Sequence, residues 1–345
     1  MTLRWLFPSL GLAAATLCAC SHSGMPPSVL SPAQTGTGLR TTSENLFVEN
    51  YNDITEYDPN GKLVRTITDG IPYEGFNAGG LAFDSRGRLY AITGSFDISI
   101  YAAGSRKFIG TITSGLRTPL AVAVDRSDNL FVANEIAENV EEFFHGHKQP
   151  GRVITQGIND PDALAFDSQG NLYVANLFGP TVTVYSRNGH LIRTIQDGMV
   201  GPEAIALDSR DTLFVANGAA GYGMTVTIYK AYSDKRIATL VSGQGPGSVA
   251  ISADGELFVA NADSNTATAY QEADWRWPPL FEIKHVGNPR YVLVDASNNF
   301  YLVCCNNRNP YNDQRILVYP PWSEKPARTI TDGVTSVRGI AFGPP

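Results

Sequence analysis

The chain has 345 residues, a formal net charge of −7, and 26 Lys and Arg scattered along its length. Proteins that grip nucleic acid need a basic face, so this balance excludes nucleic acid as an expected partner. The 33 Gly and 21 Pro fall between short apolar runs, which is typical of turn-rich β structure.

The N-terminus has the pattern of an export signal. Arg4 precedes an apolar run over residues 5–17 that is too short to cross a bilayer as a stable helix. The run ends in Leu-Cys-Ala-Cys, which resembles the bacterial lipobox, although Cys18 stands where a small residue is more usual. We therefore expect residues 1–19 to be a lipoprotein signal peptide and Cys20 to receive the lipid. A soluble secreted protein cleaved near the same place is the alternative.

The segment that follows the signal is polar and rich in Pro, Gly and Ser. It covers residues 20–42 and shows no hydrophobic periodicity. Such a composition predicts a flexible tether. The expected location is a membrane surface outside the cytoplasm, either periplasmic or on the cell surface.

From residue 43 onward the chain repeats a segment that reads Leu-Phe-Val-Ala-Asn or a close variant. Its first apolar residue recurs at positions 46, 89, 130, 172, 213, 257 and 300, so successive steps are 43, 41, 42, 41, 44 and 43 residues. Repeats of about forty residues are typical of blade arrays.

Each repeat contains four strand-like segments. A short run with a central small residue comes first, and an Asp-Ser-x-Gly type turn, as at 167–170, joins it to the repeated segment. An alternating segment that ends on an aromatic residue follows, and a fourth segment such as 193–198 completes the unit. Four antiparallel strands per repeat define a propeller blade.

The two ends of the repeated region complement each other. The first repeat lacks its first strand, and the last residues hold a lone first strand, 339–342. Pairing these strands closes a ring and covers two exposed edges. We predict an all-β, seven-bladed β-propeller over residues 43–345, closed by the C-terminal strand and monomeric.

These residues resemble the NHL-type family of propellers, including its YVTN-like relatives, over residues 43–345. The resemblance lies in the Gly-Asn-Leu-Tyr-Val-Ala-Asn strand and the Asp-Ser-x-Gly turn. It implies the propeller fold but not one function, because members range from protein-binding platforms to lactonases and lyases. No ligand set of the family maps onto this sequence residue by residue.

One column of the repeat is predicted to open on a single face of the ring. It is the residue just before each first strand: Gly79, Leu120, Asp162, Glu203, Gly247, Arg290 and Arg338. Acids lie on blades four and five, and bases lie on blades seven and one. This column predicts a polarised funnel that orients a polar or zwitterionic ligand. Charges that pair with one another or are simply solvated are the alternative.

Two loops on the same face are longer than the others, over 71–78 and 304–314. They are predicted to bring Tyr73, Arg308 and Tyr311 close to Arg290 and Arg338. Long insertions in a tight repeat are where binding function tends to be added.

The cysteines left in the predicted mature chain besides the lipidated one are Cys304 and Cys305. In an oxidising compartment they are expected either to form a strained disulfide between neighbours or to remain reduced thiols. The disulfide would form a rigid apolar plate at the rim, against which a ligand rests.

Several other polar groups are candidate ligands for a metal. The Asn residues that close the second strands are predicted to be structural, and a Ca²⁺ ion held by their amide oxygens with Asp162 or Glu203 is the alternative. His145 and His147 are expected at a solvated turn on the opposite rim, and His285 is the histidine at the favoured rim. The Trp-containing turn 274–278 either docks a partner or packs under its blade.

The leading functional prediction is a binding or scaffolding module, without catalysis or cofactor, for a protein, glycan or small polar ligand. The alternative is a metal-dependent, lactonase- or lyase-like enzyme with its site at the axial channel mouth. The lack of an assignable His or carboxylate cluster there argues against the enzyme.

Overall fold

The computed structural model describes residues 44–72, 79–218, 223–271, 279–306 and 309–345, with backbone alone at 305, 306 and 309–313. Within these ranges the chain forms twenty-eight β-strands and one short 3₁₀ turn at Phe144–Gly146. No helix in the described part is long and apolar enough to span a bilayer. The predicted signal, the tether and Cys20 lie outside the described residues.

The strands form seven sheets of four antiparallel strands, each of which is one blade. Blades 1 to 4, from inner to outer strand, are β28 (Gly339–Gly343), β1 (Asn45–Glu49), β2 (Ile54–Tyr57), β3 (Leu63–Ile67); β4 (Leu81–Phe83), β5 (Leu89–Gly94), β6 (Asp97–Tyr101), β7 (Phe108–Ile112); β8 (Pro119–Val124), β9 (Leu130–Asn134), β10 (Asn139–Phe143), β11 (Arg152–Ile154); and β12 (Pro161–Phe166), β13 (Leu172–Asn176), β14 (Thr181–Tyr185), β15 (Leu191–Ile195). Blades 5 to 7 are β16 (Pro202–Leu207), β17 (Leu213–Asn217), β18 (Thr225–Tyr229), β19 (Arg236–Val241); β20 (Pro246–Ile251), β21 (Glu256–Asn261), β22 (Thr266–Gln271), β23 (Phe281–Lys284); and β24 (Tyr291–Val294), β25 (Phe300–Asn306), β26 (Asn309–Tyr319), β27 (Arg328–Ile330).

The predicted ring closure is confirmed. β28 pairs antiparallel with β1 from Asn45 opposite Gly343 to Glu49 opposite Gly339. The first strand of every blade also contacts the first strands of both neighbouring blades, all the way around the ring. These strands are therefore innermost, and the small residues at their centres, such as Ala123 and Ala165, are buried there.

The repeated Asp turn has a local physical cause. In blade 4, Oδ1 of Asp167 accepts the backbone N–H groups of Gln169 and Asn171 at 2.9 and 2.8 Å, while Gly170 takes φ +78°. A side-chain carboxylate that satisfies two turn donors favours this conformation, and glycine tolerates the positive φ. The same acceptor geometry occurs at Asp84, Asp125, Asp208 and Asp295.

Neighbouring blades are joined by repeated hydrogen bonds from the aromatic column. The hydroxyl of Tyr185 donates to the carbonyl oxygen of Gln156 in the preceding blade at 2.5 Å. The equivalent donors are Tyr57, Tyr101, Tyr229 and Tyr270. Burial raises the pKa of Tyr57 to about 12, so this hydroxyl keeps its proton and remains a donor at neutral pH. Blade 3 has Phe143 at this position and cannot make the bond.

A buried arginine joins blades 1 and 2 close to the C-terminal strand. Arg106, only 3% exposed, donates to the carbonyl oxygens of Gly87 and Pro344. Its guanidinium carbon lies 4.8 Å from the ring centroid of Phe47, and its Nε lies 3.9 Å from a carboxylate oxygen of the buried Glu56. One side chain thus holds the closing strand against the next blade.

Candidate binding site at the axial mouth

Four of the innermost strands begin with a proline followed by a β-bulge. Proline has no N–H to donate, so it suits the first residue of a strand, and a bulge redirects the side chain of the extra residue. The prolines are Pro119, Pro161, Pro202 and Pro246, and the residues skipped in the pairing are Leu120, Asp162, Glu203 and Gly247. The bulges therefore place Asp162 and Glu203 at the start of adjacent inner strands, at the end of the ring that we call the axial mouth.

The two acids at the axial mouth are buried rather than solvated. Asp162 is 4% exposed and Glu203 is 8% exposed. Burial raises the pKa of Asp162 well above its ordinary value, and the negative charges of Glu203, Asp160 and Glu135 raise it further. No hydrogen bond or ion pair joins Asp162 to another residue in the described ranges. This side of the mouth thus concentrates negative potential in a poorly hydrated place.

A third acid, Glu49, was not anticipated from the sequence. It occupies a repeat column that is Ala at 133, 175, 216 and 260. Its side chain is buried, and its Oε2 accepts the backbone N–H of Gly80 at 2.7 Å. Burial raises the pKa of Glu49 well above its ordinary value, although the Gly80 N–H and the charge of Arg338 partly offset the effect.

Glycines on two blades make room for the Glu49 carboxylate. A Cβ on Gly79 would lie 2.8 Å from Oε2 of Glu49, and a Cβ on Gly339 would lie 3.0 Å from the same atom. Any larger residue would displace the carboxylate. The sequence contained one part of the signal for this site, which is a carboxylate in a column that is otherwise apolar and mostly alanine.

The two predicted bases lie on the other side of the mouth. The guanidinium carbon of Arg338 lies 4.1 Å from the ring centroid of Tyr51, and its backbone N–H donates to the carbonyl of Glu49 at 2.8 Å. Arg290 is half-buried, and its Nε donates to Oδ1 of Asn288 at 3.3 Å. Burial lowers the pKa of Arg338, whereas the charge of Glu49 acts in the opposite direction.

Tyr291 lies between these charged groups. It occupies the position that is Gly, Ala or Ser in the other six inner strands, and its hydroxyl donates to the carbonyl oxygen of Arg338 at 2.7 Å. Its pKa is raised by burial, and the charges of Arg290, Glu49, Arg338 and Glu203 all act on it. Charges from both the basic and the acidic side of the mouth thus act on the Tyr291 hydroxyl, which indicates that the two sides belong to one axial region.

Several predicted site residues lie outside the described part. These are Tyr73, Arg308, the side chains of Tyr311 and Cys305, and the Trp-containing turn. Cys304 is described and is completely buried on β25. The disulfide plate therefore stays a prediction.

The Asn column has the predicted structural role in the described blades. Oδ1 of Asn176 accepts the backbone N–H of Asn159 at 3.1 Å, and its Nδ2 donates to the hydroxyl of Thr183 at 3.1 Å. Asn50, Asn134 and Asn217 likewise accept a backbone N–H from the preceding connection. In the described ranges no three His, Cys, Asp or Glu side chains converge to hold a metal ion.

The histidines singled out by the sequence are exposed. His145 lies within the 3₁₀ turn after β10 and His147 follows it, at the end of the blade opposite the axial mouth. His285 follows β23 with φ +60° and is also exposed. In the described residues none of them joins the buried charges of the mouth.

Stability is expected to fall as pH rises from about 4.5 to about 7. Burial raises the pKa of Glu203 to about 7, as it does for Glu142 and Glu256. The folded state binds these protons more tightly than the unfolded state does. Their contribution to the free energy of unfolding is therefore complete at acid pH and is lost as the pH rises through the pKa of the folded state. For Glu203 the loss is about 3 kcal/mol at most. Urea unfolding across this pH range measures it.

The Glu203→Gln variant tests the cause of this slope. It should unfold with a flatter pH dependence than the wild type, because the amide does not titrate. Glu138→Gln, on an exposed loop, serves as the matched control and should keep the wild-type slope. Parallel slopes for all three proteins would show that Glu203 is not responsible.

Comparisons with known proteins place the chain at the level of fold. No family model matches it, and no curated protein matches it. Among solved structures it is similar to Kuenenia stuttgartiensis hydrazine synthase, with 16% identity and a TM-score of 0.58, over 70% of this chain and 76% of that chain. At this identity the likeness supports the fold alone. The chain is a seven-bladed β-propeller with four antiparallel strands in each blade.

Proposed function

We propose that the protein is a binding module whose axial mouth takes a small zwitterionic ligand. A cationic group of the ligand would lie against Asp162 and Glu203, and an anionic group would lie against Arg290 and Arg338. The observation that carries the proposal is Asp162, which is buried among other acids without a hydrogen-bond or ion-pair partner in the described residues.

The energetic cost of burying Asp162 supports a ligand at the axial mouth. A buried carboxyl surrounded by negative charge destabilises the folded protein unless it is protonated or neutralised by a cation. The arginines do not supply that neutralisation, since Arg338 acts on Glu49 and Tyr51 and Arg290 bonds to Asn288. A molecule that carries both charges would satisfy both sides of the mouth at once.

A probe series tests the proposal without knowledge of the natural ligand. Isothermal titration calorimetry would compare ω-amino acids of increasing length, from glycine to aminohexanoate, with the corresponding alkylamines and alkanoates. At least one zwitterion should bind more tightly than its matched amine and its matched carboxylate. Asp162→Asn and Arg290→Gln should each weaken that binding about tenfold, because each removes a charge-assisted hydrogen bond.

Two outcomes would overturn the zwitterion assignment. One is that no member of the series binds to the wild type, and the other is that the variants bind it unchanged. The enzymatic alternative makes a separate prediction, which is chelator-sensitive hydrolysis of lactones or esters by protein that retains a divalent ion after purification. That result would replace the binding module with a metal-dependent hydrolase or lyase.

We also propose that the propeller acts outside the cytoplasm, held on a membrane by a lipid on Cys20. The support is the short apolar run that ends in Leu-Cys-Ala-Cys, followed by a polar tether. Cys20→Ala is expected to leave the precursor uncleaved or the protein released from membranes, since two or more acyl chains are needed for stable anchoring. Cys18→Ala is the matched control and should stay anchored. An unmodified N-terminal peptide on the wild type, seen by mass spectrometry, would reject the lipid.

A further inference from the structure

The third strand of each blade contains a position that normally holds a hydroxyl group. The residue is Thr or Ser in five blades, at Thr55, Ser99, Thr183, Thr227 and Thr268. In blade 2 the hydroxyl of Ser99 donates to the carbonyl oxygen of Gly70 in the preceding blade at 2.5 Å. In blade 1 the hydroxyl of Thr55 makes the same kind of bond to Gly333 at 3.3 Å. This column therefore joins neighbouring blades.

Blade 3 replaces the hydroxyl with a carboxylate, Glu141, which pairs with Val132 in the usual register. Glu141 is 4% exposed, and its Oε1 accepts only a long 3.4 Å bond from Nδ2 of Asn139. Its Oε2 has no hydrogen-bond partner in the described part of the chain. An unsatisfied buried carboxylate oxygen destabilises a fold, so the replacement calls for a reason other than stability.

The same blade lacks a second hydrogen bond of the repeat, because Phe143 replaces the tyrosine that elsewhere donates to the preceding blade. The interface between blades 2 and 3 thus lacks both elements of the repeated contact, with a carboxylate in place of the hydroxyl residue and a phenylalanine in place of the tyrosine. The carboxylate packs against the backbone of Gly115, where a Cβ would lie 3.0 Å from Cδ of Glu141. Gly115 has φ +78°, a conformation that glycine adopts without strain.

An open groove of about 720 Å³ lies at this interface, lined among others by Glu141, Asn139, Leu116 and Phe96. The equivalent groove between blades 1 and 2, around Ser99, has about 340 Å³. Phe96 is 58% exposed and forms part of the groove wall. The larger groove therefore combines an exposed aromatic wall with a buried acceptor.

We propose that this groove binds a small primary amine with an aromatic body, at a site separate from the axial mouth. The ammonium group would donate to the Glu141 carboxylate and replace the weak bond from Asn139, and the aromatic body would pack on Phe96 and Leu116. A charge-assisted hydrogen bond in a partly dehydrated place gives such a contact its strength, and ring stacking adds to it. Arg117 lines the same groove with an exposed, solvent-screened charge.

The test compares phenethylammonium with 2-phenylethanol, its neutral counterpart, by ligand-observed NMR on the wild-type protein. Phenethylammonium should bind about tenfold or more tightly than the alcohol, because only it carries the charge that meets Glu141. Glu141→Thr restores the residue that the repeat uses elsewhere. It should fold at least as stably as the wild type and lose the preference for the amine.

Two more variants separate the groove from a general loss of structure. Arg117→Gln removes an exposed positive charge that repels the ammonium group, and it leaves the core unchanged. This variant should therefore bind the amine more tightly than the wild type does. Phe96→Ala should weaken both probes. If the wild type binds neither probe, or if Glu141→Thr keeps the preference for the amine, the proposal is wrong. Asp162→Asn should leave amine binding in this groove unchanged, so the two sites can fail independently.

Discussion

Removal of residues 336–345 is expected to abolish the soluble monomer. The deletion takes away β28, whose full length pairs with β1, and it also takes away the Pro344 carbonyl to which Arg106 donates. Blade 1 would keep three strands with an exposed inner edge, and such edges template aggregation. Size-exclusion chromatography of the refolded protein measures the loss.

A matched truncation separates closure from a mere change of length. Removal of Pro345 alone leaves the strand and the Pro344 carbonyl in place, so that protein should elute as the wild-type monomer. If the longer truncation also gave a monomer with an unchanged melting temperature, ring closure would not determine the stability of this propeller.

Arg106→Ala is expected to lower the free energy of unfolding by about 3 kcal/mol, the range found when one partner of a buried ion pair is removed. Three effects combine: in the described residues Glu56 keeps only the more exposed Arg65 as a charged partner, two carbonyl oxygens lose their donor, and Phe47 loses the guanidinium above its ring. Urea unfolding followed by tryptophan fluorescence or circular dichroism measures the change.

Arg187→Ala is the control for this variant. Arg187 lies in the turn between the third and fourth strands of blade 4, as Arg106 does in blade 2, and it donates to the carbonyl of Gln169. It is exposed, so its removal should cost less than about 1 kcal/mol. If both variants lost the same free energy of unfolding, neither the burial of Arg106 nor its ion pair with Glu56 would add to stability.

The repeat made the fold predictable because each blade gives independent evidence for the same four strands. The column of Asn residues, the Asp turns and the aromatic column recur with little change, and a lone first strand at 339–342 completes an incomplete first blade. Where one copy departs from the pattern, the other copies still indicate which residues form its strands. Seven-fold redundancy thus substitutes for an alignment of relatives.

Comparison of the seven copies gave less information about the residues that depart from the repeat. Glu49 replaces an alanine and Glu141 replaces a hydroxyl residue, yet both columns read as ordinary buried strand positions. Their meaning depends on what faces them across the blade interface, which is Gly79 and Gly339 in one case and Gly115 in the other. Spacing along the chain does not contain that information, whereas the packed ring does.

The burial of Asp162 and Glu203 was also beyond the sequence. Their column predicted a charged funnel open to solvent, because a residue before a strand usually lies in a loop. The proline and the bulge instead place each acid inside the stack of inner strands. A proline two residues before an alanine in the first strand is the signal that would have revealed it.

The pairing of β1 with β28 determines when the ring can close during synthesis. Synthesis produces β1 before all the other described strands and β28 after them, so the partner of β1 does not exist until the rest of the propeller has been made. Contacts between such distant residues form slowly, and unpaired strands are exposed meanwhile. The open ring is therefore the species with the longest exposure to proteases and chaperones. We therefore expect slow synthesis around β28 to prolong this exposure more than slow synthesis around β1 does.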